Sequence, residues 1–230
     1  MSSTSEGFVW QPSLLAVEQE IDFDRSFSSL TRIQLDGESW VDHAPNWVSG
    51  SDALFERIIG QRDWNQRSRR MYDKRVLEPR LTAPWRADSP EPLEPPILEE
   101  MRRALSQRYE RDFDSVGFNL YRDGNDSVAW HSDKIRKEIE DPIVVLVSLS
   151  EPRKFLMRPK GGGASTAFML GHGDLLVTGG KSQKTWEHSV PKVKQAGPRI
   201  SLAYRHGMDP GAYGMKRIEK PGDPEGSPGS

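Results

Sequence analysis

The sequence predicts a mainly β (α+β) protein, a double-sheet jelly roll with flanking helices and an N-terminal lobe. From residue 115 onward, short runs of β-forming residues alternate with Gly-rich turns. One long helical pattern precedes these runs, while residues 1–50 show no sustained period and are expected to be irregular. Many short strands after a helix-containing lobe are typical of a jelly roll.

The composition excludes several classes of protein. The chain has 230 residues and no cysteine, so disulfides, zinc fingers, iron–sulfur clusters and cysteine nucleophiles are excluded. Its net charge is −2, so nucleic-acid binding would have to depend on local basic patches. No apolar run approaches the roughly 20 residues of a membrane span, and the N-terminus lacks a signal-peptide pattern. We therefore expect a soluble, cytoplasmic monomer with no membrane partner.

Two helices are predicted before the strands begin. Ser51 or Asp52 can cap a short helix, whose apolar face holds Phe55, Ile58 and Ile59. The second helix follows a proline-rich connection at 84–96, and Pro95-Pro96 suits its first turn. Its apolar residues recur at every fourth position: Ile97, Met101, Leu105 and Tyr109. We expect this helix to pack on the outside of a sheet.

About eight strands are predicted after the second helix. Val116, Phe118 and Leu120 alternate with other residues, and Asp123-Gly124-Asn125-Asp126 then turns the chain. The β-branched run at 143–149 fits a strand that is covered on both faces. Further strands are predicted around His131 and at 154–158, 165–170, 175–178, 186–190 and 199–206.

These elements divide the chain into an N-terminal lobe (1–83), a jelly-roll core with its supporting helix (84–215) and a disordered tail (216–230). Residues 61–75 carry six basic side chains against two acidic ones, with aromatic residues between them. This stretch is either a solvated face or a phosphate-contacting surface, where basic groups replace counterions and aromatic rings stack. A second basic cluster lies beside a glycine run and consists of Arg153, Lys154, Arg158 and Lys160.

The candidate chemistry starts at His131-Ser132-Asp133. In a β-strand, alternate side chains point to one face, so the imidazole and the carboxylate can reach the same point. With a second histidine from elsewhere they make the facial triad of non-haem Fe(II) oxygenases, which leaves open positions for a co-substrate and O2. A His-x-Asp pair also occurs by chance in surface turns, so the rest of the sequence must decide between the two interpretations.

The third ligand must come from a strand that lies beside the strand of His131. Among the five histidines, His188 is in an extended, apolar-flanked segment and ranks first, with His206 behind it. His172 lies between two glycines in a turn, a position that is more typical of flexibility than of metal binding.

Arg199 and Arg205 are six residues apart, so both project from one face of the last strand while apolar residues occupy the other. Inward-pointing guanidinium groups need anions, because a buried unpaired charge is very costly. The anions are either structural salt-bridge partners or a dicarboxylate co-substrate, which the guanidinium fork can bind bidentately. Asn119 and Tyr121 can add hydrogen bonds to such an acid.

Together, Asn119-x-Tyr121, His131-x-Asp133, His188 and Arg199-x5-Arg205 resemble the AlkB family of Fe(II)/2-oxoglutarate-dependent dioxygenases. The similarity covers about residues 75–206 in one order, which makes it more specific than any single motif. Three further stretches agree with the family, at 78–83, 154–163 and 173–192.

The resemblance implies a double-stranded β-helix fold, in agreement with the predicted strands. It also implies that Fe(II) is bound by His131, Asp133 and His188. In the family, O2 oxidises 2-oxoglutarate to succinate and CO2, while an N-methyl group on a base is hydroxylated and lost as formaldehyde. The implied function is oxidative demethylation of alkylated DNA, with 1-methyladenine and 3-methylcytosine as the expected lesions.

Further roles follow from the same resemblance. Arg199, helped by Tyr121, would pair with the distal carboxylate of 2-oxoglutarate, while Arg205 and Asn119 would hold the end near the metal. The damaged base must be flipped out of the stack, often against an aromatic ring. The candidates for that ring and for phosphate contacts are Trp85, Tyr72, Arg69, Arg70, Arg158 and Lys160. The N-terminal lobe would then recognise the nucleotide.

The sequence departs from the family in two places. Lys134-Ile135-Arg136 follow the His-x-Asp motif where many relatives have an acidic residue that helps to read the base. Thr82-Ala83-Pro84-Trp85 lacks the Trp-Tyr-Gly continuation that is common among relatives. The base preference and the substrate lid are therefore open. Two alternatives remain, namely a dioxygenase of the same fold that acts on RNA or protein side chains, and a non-catalytic jelly-roll binding module.

Overall fold

The structure, a computed structural model, describes residues 20–71 and 74–207. The strands in these ranges are β1 (Asp22–Phe23), β2 (Thr31–Gln34), β3 (Ser39–Ala44), β4 (Val48–Ser49), β5 (Ser68–Met71), β6 (Lys74–Leu77), β7 (Leu81–Arg86), β8 (Ser115–Tyr121), β9 (Val128–His131), β10 (Val144–Ser150), β11 (Arg153–Pro159), β12 (Thr166–Leu170), β13 (Asp174–Gly180), β14 (Trp186–Val190) and β15 (Arg199–Arg205). The helices are α1 (Ser51–Gln61), α2 (Ile97–Tyr109) and α3 (Ser182–Thr185). None of the helices described has the length and apolar character to cross a membrane. The tail predicted at 216–230 lies outside the described residues.

Two antiparallel sheets face each other across a buried apolar layer. The seven-stranded sheet has the order β2-β3-β13-β10-β15-β8-β7, and the four-stranded sheet has the order β12-β11-β14-β9. Side chains of both sheets meet in one cluster, in which Val144 and Leu146 of β10 lie with Phe155 and Met157 of β11. The predicted jelly roll is confirmed, and its inner layer is the place where a site between the sheets can form.

The other face of the seven-stranded sheet is covered by α1 and α2. Both helices contribute buried side chains to a second apolar cluster, which includes Phe55, Ile58, Met101 and Leu105. The Tyr204 hydroxyl of β15 donates to the Leu98 carbonyl of α2 at 3.3 Å. The predicted packing of the second helix outside a sheet is thus confirmed. With a layer on each side, β10 is buried along its whole length, as its β-branched sequence predicts.

The start of α1 corrects the predicted cap. The N-cap residue is Gly50, in the left-handed conformation with φ of 62°, and no side chain caps the helix. A Cβ atom at this position would lie 2.5 Å from the Glu20 carbonyl oxygen. A close approach of two chain segments in a left-handed conformation requires glycine here, so neither Ser51 nor Asp52 fills the predicted role.

The prediction of an irregular N-terminal segment is wrong for β2 and β3. Both belong to the seven-stranded sheet, where Asp42 of β3 lies opposite Val177 of β13. Asp42 is buried in this strand because Arg32 donates to its carboxylate at 2.7 and 2.9 Å and the Tyr109 hydroxyl donates at 3.1 Å. The boundary predicted between residues 83 and 84 falls inside β7, and strands from both sides of it share this sheet.

Candidate metal and co-substrate site

His131 and His188 meet because their strands pair. His131 ends β9 and His188 lies within β14, and the two are direct partners in the antiparallel register. Their ring centroids are 4.3 Å apart. On its other side, His188 stacks on Phe155 with 5.1 Å between the centroids. The pairing of these two strands of the four-stranded sheet therefore presents two imidazoles to one point between the sheets.

The other candidate histidines lie away from this point. The Nε2 atom of His206 accepts a hydrogen bond from the backbone N–H of Ile143 at 3.0 Å. His172 stays in the turn before β13, in the left-handed conformation with φ of 49°. Of the three residues considered for the third ligand, the structure brings His188 to His131.

Asp133 completes a cluster with the two histidines. One ligand atom from each of the three side chains lies within 4.8 Å of the others, so the group can hold a metal ion. The carboxylate Oδ1 accepts hydrogen bonds from Nε and Nη2 of Arg205, both at 2.9 Å. The backbone N–H of Asp133 donates to Oε1 of Gln183 at 3.0 Å. Asp133 is thus held through its side chain and through its main chain.

The electrostatics keep the three groups in the forms that bind a metal. Burial alone would raise the pKa of Asp133, but Arg205 and the two histidines lower it below its usual range. Burial and the neighbouring His131 lower the pKa of His188 to about 3, and burial also lowers the pKa of His131. The carboxylate is therefore ionised and both imidazoles are neutral at neutral pH, as metal ligands must be.

The tautomer of His131 follows from its backbone contact. Its Nδ1 atom lies 2.9 Å from the Ala129 carbonyl oxygen. A carbonyl oxygen can only accept a hydrogen bond, so Nδ1 carries the proton and donates. The lone pair of Nε2 is then available to a metal, and the ring is oriented by the contact on its other side.

A pocket beside the three-residue cluster contains the predicted co-substrate residues. Its walls include Asn119 and Tyr121 from β8, with Arg199 and Arg205 from β15. The apolar residues of β15, such as Leu202, belong to the cluster on the helix-covered face. The predicted separation of the two faces of the last strand is confirmed. The guanidinium of Arg205 pairs with the carboxylate of Asp133. The sequence did not reveal this partner.

Arg199 offers a buried cation to the pocket. Its side chain is 1% exposed, Nε donates to the Ser148 hydroxyl at 2.6 Å, and the guanidinium lies 5.3 Å from the centre of the Tyr121 ring. Burial lowers its pKa to about 10, so the group remains charged at neutral pH. Among the described residues, no hydrogen-bond partner reaches its Nη1 atom. A carboxylate of 2-oxoglutarate fits this requirement, since it would satisfy the charge and the remaining donor.

Of the six residues predicted to contact the substrate, the structure describes the side chains of three, and none of these three lines the pocket. Trp85 pairs with Val116, packs against the helix-covered cluster and donates its Nε1–H to the Glu91 carbonyl at 2.9 Å. This position contradicts a stacking role inside the pocket. Tyr72 lies outside the described residues. Arg69 and Arg70 belong to β5, which pairs with β6, but their side chains lie outside the described part of the chain.

The other two basic candidates have local partners. Arg158 forms an ion pair with Glu187 at 2.6 Å and lies 4.0 Å from the centre of the Trp130 ring. The Lys160 ammonium donates to the backbone carbonyl of Gln183 at 3.1 Å. Neither residue lines the pocket. Their predicted contacts with phosphate stay predictions, and their observed contacts support β14 and α3.

Two residues of the site were missed by the sequence reasoning. Arg80 lines the pocket, and its positive charge lowers the pKa values of His131 and His188. The signal for Arg80 was present, since it belongs to the family-like stretch at 78–83. Gln183 contacts Asp133 from a four-residue helix, α3, and no sequence pattern marks an amide in such a position.

Comparison with known proteins agrees with this fold and this site. The family model described as the 2OG-Fe(II) oxygenase superfamily matches residues 43–218. The class is therefore that of enzymes that use Fe(II), 2-oxoglutarate and O2, as the resemblance implied, and the His131–Asp133–His188 cluster is a group that can hold a metal ion.

The relatives narrow the class further. The chain is 31% identical over 222 residues to the alpha-ketoglutarate-dependent dioxygenase alkB homolog 3 of Bos taurus, a match that covers 87% of this chain and 75% of that protein. The match to the human alkB homolog 3 is 32% over 178 residues and covers 69% of this chain and 62% of that protein. The DNA oxidative demethylase ALKBH2 of Arabidopsis thaliana is 30% identical over 135 residues, which cover 48% of this chain and 43% of that protein.

A solved structure supports the fold. The structure of OsALKBH1 superimposes with a TM-score of 0.54 at 15% sequence identity, covering 76% of this chain and 99% of that one. At this identity the likeness concerns the fold alone. With the family model and the relatives, the chain belongs to the AlkB family of Fe(II)/2-oxoglutarate-dependent dioxygenases.

Proposed function

We propose that this protein removes N-methyl groups from bases in DNA, with 1-methyladenine and 3-methylcytosine as substrates. The observation that carries the proposal is the juxtaposition of the His131–Asp133–His188 cluster with the buried cation Arg199 in one pocket. The similar protein that is named a DNA oxidative demethylase supports the choice of DNA as substrate.

In this proposal, each protein group has one task. His131, Asp133 and His188 bind Fe(II) on one side, and Arg199 with Tyr121 binds the distal carboxylate of 2-oxoglutarate. Asn119 borders the same pocket and is assigned to the end of the co-substrate near the metal. Arg205 keeps Asp133 ionised and in place through its two hydrogen bonds. The Nδ1–H of His131, held by the Ala129 carbonyl, keeps the ring turned with Nε2 towards the cluster.

When bound at these residues, Fe(II), 2-oxoglutarate and O2 would supply the oxidation itself. One oxygen atom would enter a C–H bond of the N-methyl group, the other would enter succinate, and CO2 would leave from the co-substrate. The resulting N-hydroxymethyl group would then lose its hydroxyl proton and break at its C–N bond, which releases formaldehyde and returns the C–N electron pair to the ring nitrogen of the restored, neutral base. The protein must exclude bulk water from these reaction steps, and the apolar layer around Phe155 and Leu146 does so on the inner side of the pocket.

The proposal is tested by formaldehyde release from a panel of substrates. The purified chain, with Fe(II), 2-oxoglutarate and ascorbate, is given single- and double-stranded DNA with one 1-methyladenine or one 3-methylcytosine. The same sequences as RNA, the unmethylated strands and a methyl-lysine peptide complete the panel. We expect release from methylated DNA, and none from unmethylated strands or peptide.

The panel separates the alternatives. If methylated RNA released more formaldehyde than methylated DNA, RNA would be the substrate. Release from the peptide alone would contradict the proposal that the substrate is a nucleic acid. A chain that turned over none of these substrates and bound no metal would instead fit the non-catalytic binding module.

A further inference from the structure

The side chain of Gln183 links two separate parts of the molecule. Its Oε1 atom accepts the backbone N–H of Asp133 at 3.0 Å, and its Nε2 donates to the Thr178 hydroxyl of β13 at 3.0 Å. The same hydroxyl lies 3.4 Å from the Val144 carbonyl of β10. Gln183 is 6% exposed, so these contacts are formed in the protein interior.

This network fixes which way the amide points. The Val144 carbonyl can only accept, so the Thr178 hydroxyl donates its proton there and accepts from Gln183. The amide must therefore turn its N–H group to Thr178 and its oxygen to Asp133. A flipped amide would place N–H against N–H at Asp133, and each buried donor left unpaired would be costly.

The main chain of Gln183 is itself held in place. Lys160 donates through its ammonium to the Gln183 carbonyl at 3.1 Å, and the Lys160 backbone N–H donates to the Thr185 carbonyl at 2.8 Å. The residue after β11 thereby supports the short helix α3 that carries Gln183. The bridge thus links the seven-stranded sheet, the four-stranded sheet and the segment after β9.

Asp133 lies two residues beyond the end of β9, so the pairing of β9 with β14 does not extend to it. The Ile135 N–H donates to its carbonyl at 3.1 Å, a contact within the same short segment. Arg205 holds the carboxylate, and Gln183 holds the backbone N–H. Arg205 alone can follow the carboxylate if the main chain rotates, because its guanidinium is the end of a long side chain. The Gln183 contact therefore restrains the main chain of Asp133, from which its Cβ atom projects.

We propose that Gln183, oriented by Thr178, is a positioning residue that sets the main chain of Asp133 and so determines the affinity and geometry of the metal site. This inference rests on the proposed function, since it takes Asp133 as a metal ligand. Partners of metal ligands typically change metal affinity or activity by about 10- to 100-fold when they are replaced.

The test measures metal binding without catalysis. Metal-free protein is titrated with Co(II) alone, whose visible absorption reports both the affinity and the ligand geometry. Gln183→Met keeps the length of the side chain and removes both hydrogen bonds. We expect its Co(II) dissociation constant to rise by about 10- to 100-fold, with a changed absorption spectrum at saturation.

Three further variants separate positioning from general loss of structure. Thr178→Val removes the hydroxyl that orients the amide and should weaken Co(II) binding, as Gln183→Met does. Thr178→Ser keeps the hydroxyl and should bind Co(II) as the wild type does. Ser182→Ala is the matched control, because Ser182 is 1% exposed, neighbours Gln183 in α3, and its hydroxyl has no hydrogen-bond partner among the described residues. It should leave Co(II) binding unchanged. Thermal melting of each metal-free variant shows whether the fold is retained.

The outcomes distinguish this inference from the proposed function. Unchanged Co(II) affinity and spectrum in Gln183→Met, with His131→Ala abolishing binding, would overturn the positioning role and leave the metal site intact. Equal weakening in Ser182→Ala, or no rescue by Thr178→Ser, would show a merely structural effect and also overturn it. A wild-type chain that bound no Co(II) would overturn the metal assignment and this inference together. If Gln183→Met does not fold, the two Thr178 variants decide.

Discussion

Arg199 and Arg205 lie on the same face of β15 but meet different partners. Arg205 pairs with Asp133 at 2.9 Å, whereas Arg199 forms no salt bridge within the described ranges. The sequence left two alternatives open for these cations, a structural salt bridge or a dicarboxylate co-substrate. The structure shows the salt bridge for Arg205, and it leaves Nη1 of Arg199 without a partner among the described residues; binding of the co-substrate by Arg199 stays a prediction.

The first prediction separates the two arginines. Arg199→Met should raise the concentration of 2-oxoglutarate needed for half-maximal turnover, because a desolvated charge-assisted pair contributes roughly 2–5 kcal/mol. Co(II) affinity should stay near that of the wild type. Arg205→Met is the matched control. Its main effect should be weaker Co(II) binding, and not a raised requirement for 2-oxoglutarate. An unchanged requirement for 2-oxoglutarate in Arg199→Met would show that Arg199 does not bind the co-substrate.

A second residue-scale prediction concerns His206. Burial, with help from Arg111, lowers its pKa below 6.5, and Nε2 must stay unprotonated to accept the Ile143 N–H. At pH values between the lowered folded pKa and the ordinary unfolded one, the unfolded chain binds a proton that the folded chain does not. The free energy of unfolding therefore falls as the pH falls.

The measurement is urea unfolding one unit above and one unit below 6.5, the ordinary value for histidine. His206→Gln keeps a hydrogen-bond acceptor but does not titrate, so it should lose less stability across this interval than the wild type. The other buried histidines act equally in both proteins and cancel in the comparison. The same loss in both proteins would mean that His206 is not held neutral.

At the scale of elements, the strands with a regular alternation were predictable and the others were not. The alternation in β8 and the even spacing in β15 showed which face each residue joins. Strand β3 shows no such pattern because Asp42 is buried in it, and its partners Arg32 and Tyr109 come from β2 and α2. From the sequence alone, a carboxylate is expected at the surface, because the distant residues that pair with it are not yet known.

The strand that carries Trp85 was not predicted, for a related reason. Trp85 lies in β7, which the proline at position 84 made look like an extended connection. Proline is tolerated there because β7 is the edge strand of the seven-stranded sheet. Once β7 is recognised, the pairing of Trp85 with Val116 assigns it to the helix-covered face. The edge position of a strand is a property of the whole sheet, which the local sequence does not show.

The paired strands β5 and β6 carry the third prediction, which concerns the basic stretch. Reversing Arg69 and Arg70 to Glu should weaken binding of a methylated oligonucleotide. It should also reduce the slope of log affinity against log salt by roughly 0.7–0.9 for each phosphate that the protein no longer neutralises. Decarboxylation of 2-oxoglutarate without DNA should stay near wild type. Binding measured by fluorescence anisotropy at several salt concentrations supplies the slope.

A matched control has the same change of net charge elsewhere. Arg57 and Arg111 are exposed and lie in α1 and just after α2. These two helices cover the face of the seven-stranded sheet that lies away from the pocket. Reversing this pair to Glu should change oligonucleotide binding much less than reversing Arg69 and Arg70. Equal effects of the two pairs would mean that overall charge, and not a phosphate-contacting surface, is responsible.

At the scale of the whole molecule, the site exists because two sheets face each other. The inner face of the four-stranded sheet presents His131 and His188, and the inner face of the seven-stranded sheet presents Arg199 and Arg205. Motif spacing revealed His131 with Asp133 and Arg199 with Arg205, because each of these pairs lies on one strand or close to it, whereas His188 was found by ranking the histidines. Gln183 and Arg80 join the site only through the tertiary fold. The monomeric state and cytoplasmic location expected from the sequence stay predictions.

The most direct test is the ratio of formaldehyde to succinate formed on one oligonucleotide with a single 1-methyladenine. Coupled demethylation predicts one formaldehyde for each succinate above the background measured with the unmethylated strand. His131→Ala, which removes a ligand without disturbing the apolar layers, should form neither product above background. Succinate without formaldehyde on the methylated strand, or full activity in His131→Ala, would contradict oxidative demethylation at the His131–Asp133–His188 site.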